Sequence, residues 1–266
     1  MTNSSWESAS NEIKYFVNQM LMKTKAILDN HFIGFYIHGS LALGGFNPKN
    51  SDIDMIVVTN DSPSSDQKGK LADLFLVYSN NPYPVEVSFL NSRQLSEWQH
   101  PSKFDFHYSE YWRPYYLRNQ GNEAFPSTDP DLAAHITILN HAGICLEGKP
   151  IKEVFPPIPV SNYLSSIMND FNDCLEQIEY NPIYCTLNLI RVYMYISEGE
   201  IVSKLHAGEW GLRNLPNEFI GLIKKVLTGY QSEDKNLYLD KIQLKAFSHY
   251  IHQKVMEREL SLLKYN

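Results

Sequence analysis

Asp52 and Asp54 are the residues of this chain best suited to carry chemistry. They follow Ser51 at the head of a run, 51–59, that reads as a β-strand. On a strand, residues two apart share a face and stand roughly 6–7 Å apart along it. Their oxygens can then converge on a hard divalent cation such as Mg²⁺. Upstream lies His38-Gly39-Ser40, then a turn containing Gly44-Gly45. Gly39 permits close backbone approach, Ser40 offers a hydroxyl, and the turn offers N–H donors to a phosphate. Glu86 lies on a later strand, on the opposite side from Val85, Val87 and Phe89. Three carboxylates beside a phosphate-binding turn are the parts of a two-metal phosphoryl or nucleotidyl transfer site. An isolated Asp-x-Asp, a Gly-Ser pair or a strand glutamate is commonplace. The combination, with strands on both sides, is the specific signal.

The elements that must hold these residues can be read from periodicity. Apolar residues at near-helical spacing predict a helix over Trp6–Leu28, and the short apolar run His31–Ile37 predicts a buried strand leading into Gly39. Strand 51–59 places Ile53, Met55 and Val57 on one side and Asp52, Asp54 and Ile56 on the other. A helix over Gln67–Tyr78 and a strand over Val85–Leu90 follow. Residues 92–121 are rich in aromatics, contain Pro101 and Pro114, and read as irregular with short helices. From Asp131 the texture turns helical, with helices expected over 131–146, 161–179, 183–198, 203–213, 217–229 and 237–265. Pro156-Pro157-Ile158-Pro159 is a stiff connector, and the first half is α/β while the second is all-α, with a boundary near 150–160.

Composition bounds the possibilities. The chain has 266 residues, 43% of them hydrophobic and 20% charged, with a formal net charge of −7. That is an ordinary globular composition. The acidic balance disfavours a nucleic-acid partner, which needs clustered Lys and Arg, and suits a small cationic substrate. Cys145, Cys174 and Cys185 are odd in number and lack C-x-x-C spacing, so free thiols are expected. Residues 1–11 are polar and show no signal peptide, and no apolar run approaches the roughly 20 residues of a membrane span. A cytoplasmic protein without membrane partners is the expectation. His107, His135, His141 and His206 show no metal-ligand spacing and receive no role.

Gly39-Ser40, Gly44-Gly45 and Ser51-Asp52-Ile53-Asp54 together resemble the signature of the DNA polymerase β-like nucleotidyltransferase superfamily. The closer likeness is to the aminoglycoside adenylyltransferases of the streptomycin/spectinomycin type. Pro84-Val85-Glu86-Val87-Ser88 resembles the strand bearing that family's catalytic glutamate. Asp129-Pro130-Asp131-Leu132-Ala133, Gly148 and Val154–Pro159 resemble the approach to its helical domain. Leu187–Arg191 and Glu198–Lys204 resemble the segment whose arginine and lysine reach the ATP phosphates. The likeness covers roughly residues 30–230.

The resemblance implies an α+β fold. An N-terminal polymerase β-like nucleotidyltransferase domain, a mixed sheet with helices, would span 1–155, and an all-α helical bundle would span 156–266. It implies an ATP-dependent O-adenylyltransferase that moves AMP to a hydroxyl of an aminoglycoside-type antibiotic and releases pyrophosphate. Asp52, Asp54 and Glu86 would hold two Mg²⁺ ions, and Glu86 would be the general base. Gly39 and Ser40 would bind the triphosphate, with Arg191 and Lys204 closing on it from the helical domain. ATP and a small cationic, hydroxylated substrate would be the partners of a monomer. Arg191 stands on an otherwise apolar stretch, a mild anomaly that an ion pair would also explain. For the substrate, Glu110, Tyr111 and Trp112 are candidates, with a cation stacked on an aromatic ring, and Tyr184 lies within the Arg191-bearing helix. A nucleotidyltransferase with another acceptor (a protein hydroxyl, a lincosamide or a metabolite) is the alternative. A catalytically idle nucleotide-binding protein is a third reading, opposed by the intact carboxylates.

Overall fold

The computed structural model describes residues 5–118, 126–232 and 238–263. In chain order its elements are α1 (Ser5–Ser8), α2 (Asn11–Leu28), a 3-10 turn (Asp29–His31), β1 (Phe32–Ile37), α3 (Gly39–Ala42), β2 (Ile53–Thr59), α4 (Ser65–Tyr78) and β3 (Val85–Asn91). There follow α5 (Ser92–Ser96), β4 (Ser102–Lys103), β5 (Phe106–Tyr108), α6 (Arg113–Arg118), β6 (Thr128–Asp129), α7 (Leu132–Ala142), β7 (Ile144–Gly148) and α8 (Ile151–Val154). The remainder is helical: α9 (Val160–Gln177), α10 (Pro182–Glu198), α11 (Lys204–Asn214), α12 (Asn217–Gln231) and α13 (Lys241–Leu263). The chain divides into two compact units, Met1–Tyr163 and Leu164–Asn266.

The first unit is built on a five-stranded sheet in the order β5-β3-β2-β1-β7. Only β2 and β3 run parallel, and α4 makes the crossover that a parallel pair requires. Both faces of the sheet are covered, which is why its strands read as nearly unbroken apolar runs. On one face Phe35, Ile37, Ile53, Met55, Val57, Val85, Val87 and Phe89 pack against α2 and α4 through Phe16, Val17, Met20, Leu71 and Phe75. On the other, Tyr36, Ile56, Val58 and Leu90 pack against Leu132, Ile136 and Leu139 of α7.

Three expectations need correction. The helix expected over 131–146 ends at Ala142, and Ile144–Gly148 is instead the sheet's edge strand β7, paired with β1. Gly143 caps the helix; a side chain there would lie 2.4 Å from the Leu139 carbonyl oxygen. The aromatic-rich segment after Ser92 is also less irregular than its sequence suggests. Within it, β5 pairs antiparallel with β3 and closes the other edge of the sheet. The first helix is interrupted before Asn11, where Ser10 caps α2 by accepting from the Ile13 N–H at 3.3 Å. Residues 119–121 and Leu237, Lys264 and Tyr265, all within expected elements, lie outside the described residues.

In the second unit α10 is the central helix, packed against α11, α12 and α13. Its residues 185–190 are all buried, which explains the all-round apolar character of the sequence there. Pro182 starts it and Gly199, in the left-handed conformation at φ +75°, ends it. Ser203 caps α11 by accepting from the His206 N–H at 3.2 Å.

Candidate active site

Sheet register assembles the site. β2 and β3 pair in parallel, from Ile53 beside Val85 to Thr59 beside Asn91, and Asp54 falls directly beside Glu86. One strand further, the His38 N–H donates to the Asp54 carbonyl at 3.0 Å. His38, Asp54 and Glu86 thus form one row across three strands, on the face that α7 covers. The next row on that face is Tyr36, Ile56, Ser88 and His107. In it the Ser88 hydroxyl and His107 Nδ1 lie 2.9 Å apart, hydrogen-bonded. The polar row sits where β2 and β3 begin, so its carboxylates are only partly buried, and Asp52, just outside β2, is exposed.

The turn after β1 is pressed against this row. Gly39 has φ +61°, a left-handed conformation natural to glycine. A side chain on it would place Cβ 1.7 Å from Asp54 Oδ2. Gly39 is therefore required twice, by its backbone conformation and by the carboxylate in the space a methyl would need. The single turn α3 follows, its N–H and carbonyl groups joined by Leu43 N–H to Gly39 (3.0 Å) and Gly45 N–H to Ser40 (3.0 Å). Residues 47–51 are knitted by Ser51 N–H to the Asn47 carbonyl at 2.9 Å and by Asn47 N–H to Ser51 Oγ at 3.1 Å. The expected residues Gly39, Ser40, Asp52, Asp54 and Glu86 are thereby drawn to one end of the sheet.

Burial pushes Glu86 up to about 7; His135 opposes that rise, and the charges of Asp54, Asp129 and Asp52 add to it. A carboxylate poised near neutrality is suited to accept a proton. His135, given no role from its spacing, is a member of this group. Burial lowers its proton affinity, but Glu86, Asp129, Asp131 and Asp54 outweigh burial and raise it. Its ring lies 4.8 Å, centroid to centroid, from that of His38. Burial, then His135, keeps His38 well below the ordinary histidine value, and among the described residues its buried Nδ1 has no hydrogen-bond partner. One signal in the sequence pointed to these residues: His38 adjoins Gly39, and His135 follows Asp131 by four, one helical turn.

The carboxylate row fits a divalent cation. Asp54 and Glu86 are side by side and repel, and a cation would relieve the charge that helps to raise Glu86. Among the described residues no three His, Cys, Asp or Glu side chains form a ready-made metal cage.

Three other expected residues lie elsewhere in the first unit. The Glu110 carboxylate accepts from Ser79 Oγ, from Asn80 Nδ2 at 2.6 Å, from Tyr108 at 3.2 Å and from Arg113 at 3.3 Å. This network ties the end of α4 to the end of β5. Tyr108 belongs to the core on the sheet face opposite Glu86. Tyr111 is 82% exposed and meets Trp112 edge-on, centroids 5.2 Å apart.

In the helical unit Arg191, Lys204 and Tyr184 come together. Arg191 Nη2 donates to Asn188 Oδ1 at 2.6 Å and lies 3.7 Å from Asp170 Oδ2. Lys204 Nζ is 4.0 Å from the centroid of the Tyr184 ring. Asp170, on α9, was not singled out in the sequence, and nothing in its neighbourhood there marks it.

A paired strand aspartate and glutamate under a Gly-Ser turn, on a mixed sheet followed by a helical unit, define a nucleotidyltransferase. A family model described as a nucleotidyltransferase domain matches residues 21–110, and one described as the C-terminal domain of aminoglycoside adenylyltransferase matches 153–254. Similar proteins named spectinomycin 9-adenylyltransferase occur in Staphylococcus aureus and Campylobacter jejuni. The first is 30% identical over 221 residues, spanning 81% of this chain and 84% of that protein. The second is 26% identical over 225 residues, spanning 83% and 86%. The fold matches that of a crystal structure of spectinomycin adenyltransferase from Enterococcus faecalis, solved with ATP and spectinomycin. The TM-score is 0.78 at 22% identity, covering 91% of this chain and 99% of that one. The chain belongs to the aminoglycoside adenylyltransferase family of the nucleotidyltransferase superfamily, and it is an adenylyltransferase enzyme. Among the described residues no helix is long and apolar enough to cross a membrane.

Proposed function

We propose that this enzyme transfers AMP from ATP to a hydroxyl of an aminoglycoside-type antibiotic in the cytoplasm, with spectinomycin as the first acceptor to test. The observation that carries the reading is the Asp54–Glu86 pair in register, with Gly39 closed down on Asp54. The names of the similar proteins supply the acceptor class.

In the reaction, the acceptor oxygen bonds to the α-phosphorus as the bond from that phosphorus to the pyrophosphate oxygen breaks. The acceptor's proton passes to a Glu86 carboxylate oxygen, which strand register sets beside Asp54. Asp52, Asp54 and Glu86 would hold two Mg²⁺ ions, which supply charge neutralisation for the attacking and leaving oxygens. Gly39, Ser40 and the turn behind them receive phosphate oxygens, and the absent side chain at Gly39 lets Asp54 stand against the turn. Arg191 and Lys204 provide positive charge to the triphosphate. The alternating apolar residues of β2 and β3 are buried on the opposite face, which puts both carboxylates on one face.

The test is incubation of the full chain with ATP, Mg²⁺ and a panel of spectinomycin, streptomycin, other aminoglycosides and lincosamides. Pyrophosphate release and the mass of the product are read together. Adenylylated spectinomycin or streptomycin is expected. Absence of turnover across the panel, with labelled AMP appearing on protein instead, would overturn the acceptor class.

A further inference from the structure

Arg191 and Lys204 stand 13 residues apart on two helices, yet the structure ties them to the same aromatic residue. Tyr184, Asn188 and Arg191 follow one another at i, i+4 and i+7 and so share one face of α10. The Tyr184 hydroxyl donates to Asp170, 3.0 Å from each carboxylate oxygen. The same carboxylate lies 3.7 Å from Arg191 Nη2, and Asn188 accepts from that nitrogen at 2.6 Å. The face of the Tyr184 ring carries Lys204 Nζ at 4.0 Å. Behind them, Asn188 Nδ2 donates to Cys174 Sγ at 3.5 Å, which anchors the group in the core.

We propose that Tyr184, with Asp170, is a positioning residue that holds both triphosphate cations, its hydroxyl acting on Arg191 through Asp170 and its ring acting on Lys204 directly. This rests on the adenylyltransferase reading and on Arg191 and Lys204 as the phosphate-binding cations. It also reassigns Tyr184, which the sequence suggested as an acceptor contact.

Three observations support it. Arg191 and Asp170 are 25% and 30% exposed, so the guanidinium is held without being sealed off. Long basic side chains lose rotamer freedom when they bind a phosphate. Restraint by Asp170, Asn188 and the Tyr184 ring moves that loss to folding, before ATP arrives. Burial, and next the Asp170 charge, raise the Tyr184 hydroxyl well above the ordinary tyrosine range, so it remains a donor to Asp170. Lys204 Nζ, 4.0 Å from the centroid of the Tyr184 ring, is also within the reach of cation–π attraction.

The two halves of Tyr184 can be separated. Tyr184→Phe keeps the ring and removes the hydroxyl; Tyr184→Leu removes both. ATP affinity by calorimetry, KM for ATP and KM for spectinomycin are measured on the full-length protein, with Lys204→Met, Arg191→Gln and the double variant Tyr184→Leu/Lys204→Met. ATP binding is expected to weaken about threefold in Tyr184→Phe and about tenfold or more in Tyr184→Leu, with KM for spectinomycin within twofold of the parent. In the Lys204→Met background, Tyr184→Leu should cost no more than Tyr184→Phe does alone. Circular dichroism confirms folding, and Tyr184→Phe keeps the test valid should Tyr184→Leu fail to fold. A parent that binds ATP while Tyr184→Phe and Tyr184→Leu bind it equally well overturns the inference and leaves the enzyme reading intact. A rise confined to KM for spectinomycin also overturns it, by making Tyr184 an acceptor contact. A parent that binds no ATP overturns both.

Discussion

Gly39→Ala is the most informative single change. The new methyl carbon would lie 1.7 Å from Asp54 Oδ2 and 2.5 Å from Asp54 Cγ. Ordinary van der Waals contact begins at 3.4 Å, so the carboxylate must retreat by about 1.7 Å. The backbone adds its own penalty, since φ is +61° and a left-handed non-glycine residue costs about 1–2 kcal/mol. The penalty from φ is felt in stability, whereas the displaced carboxylate is felt in the reaction. A misplacement of about 1 Å at a reacting centre can cost about 100-fold in rate, which is about 2.7 kcal/mol of barrier. The expectation is a kcat lowered by 100-fold or more with a fold that survives. The assay is pyrophosphate release with ATP, Mg²⁺ and spectinomycin, beside a melting curve. Gly69→Ala, on α4 with nothing within 4 Å of the new carbon, is the control: it should leave activity unchanged and stabilise by about 0.5–1 kcal/mol. A Gly39→Ala enzyme within threefold of parental kcat would refute the reasoning, because Asp54 would then be dispensable where the structure puts it.

Glu86→Gln should bind ATP within about threefold of the parent yet lose transfer by 100-fold or more, as loss of a general base does; retained turnover would place the base elsewhere. Glu110→Ala should destabilise by about 1–3 kcal/mol, because Arg113, Asn80 and Tyr108 lose a shared acceptor, without altering KM for the acceptor. A raised KM at constant melting temperature would restore Glu110 to substrate binding. His107 should contribute an acid-sensitive share of stability, seen as the difference between the parent and His107→Asn, because the raised Glu86 acts with the opposite sign over much of the same range. Burial, partly opposed by Asp129 and reinforced by His135, lowers His107 from 6.5 to about 4. A group depressed on folding contributes stability above its unfolded value and loses it as pH falls through the folded value. The expected loss between pH 6.5 and 4 is roughly 3 kcal/mol from His107, read by urea unfolding across that range. A slope unchanged in His107→Asn would assign the acid sensitivity to other groups.

The strands that carry Asp54 and Glu86 were legible because they are buried on both faces and therefore read as apolar runs punctuated by those two carboxylates. β7 was not. Ile144-Cys145-Leu146 suits a helix as well as a strand, and periodicity over so short a run does not separate the two. Pairing with β1 decides the matter. β5 is three residues long, too short for any period to show, and owes its conformation to β3.

The same division holds for the site. Residue type and short-range spacing were enough to single out Gly39, Ser40, Asp52, Asp54 and Glu86, because a strand's alternation is a local rule. They also marked Arg191 as a charge on an apolar helix. Local rules carry no register between strands and no packing between helices. Only the tertiary structure could set Asp54 beside Glu86, bring His38 and His135 to that row, commit Glu110 to the opposite face and join Arg191 and Lys204 through Tyr184 and Asp170. Those meetings follow from which apolar faces must be buried together, and that is a property of the whole chain.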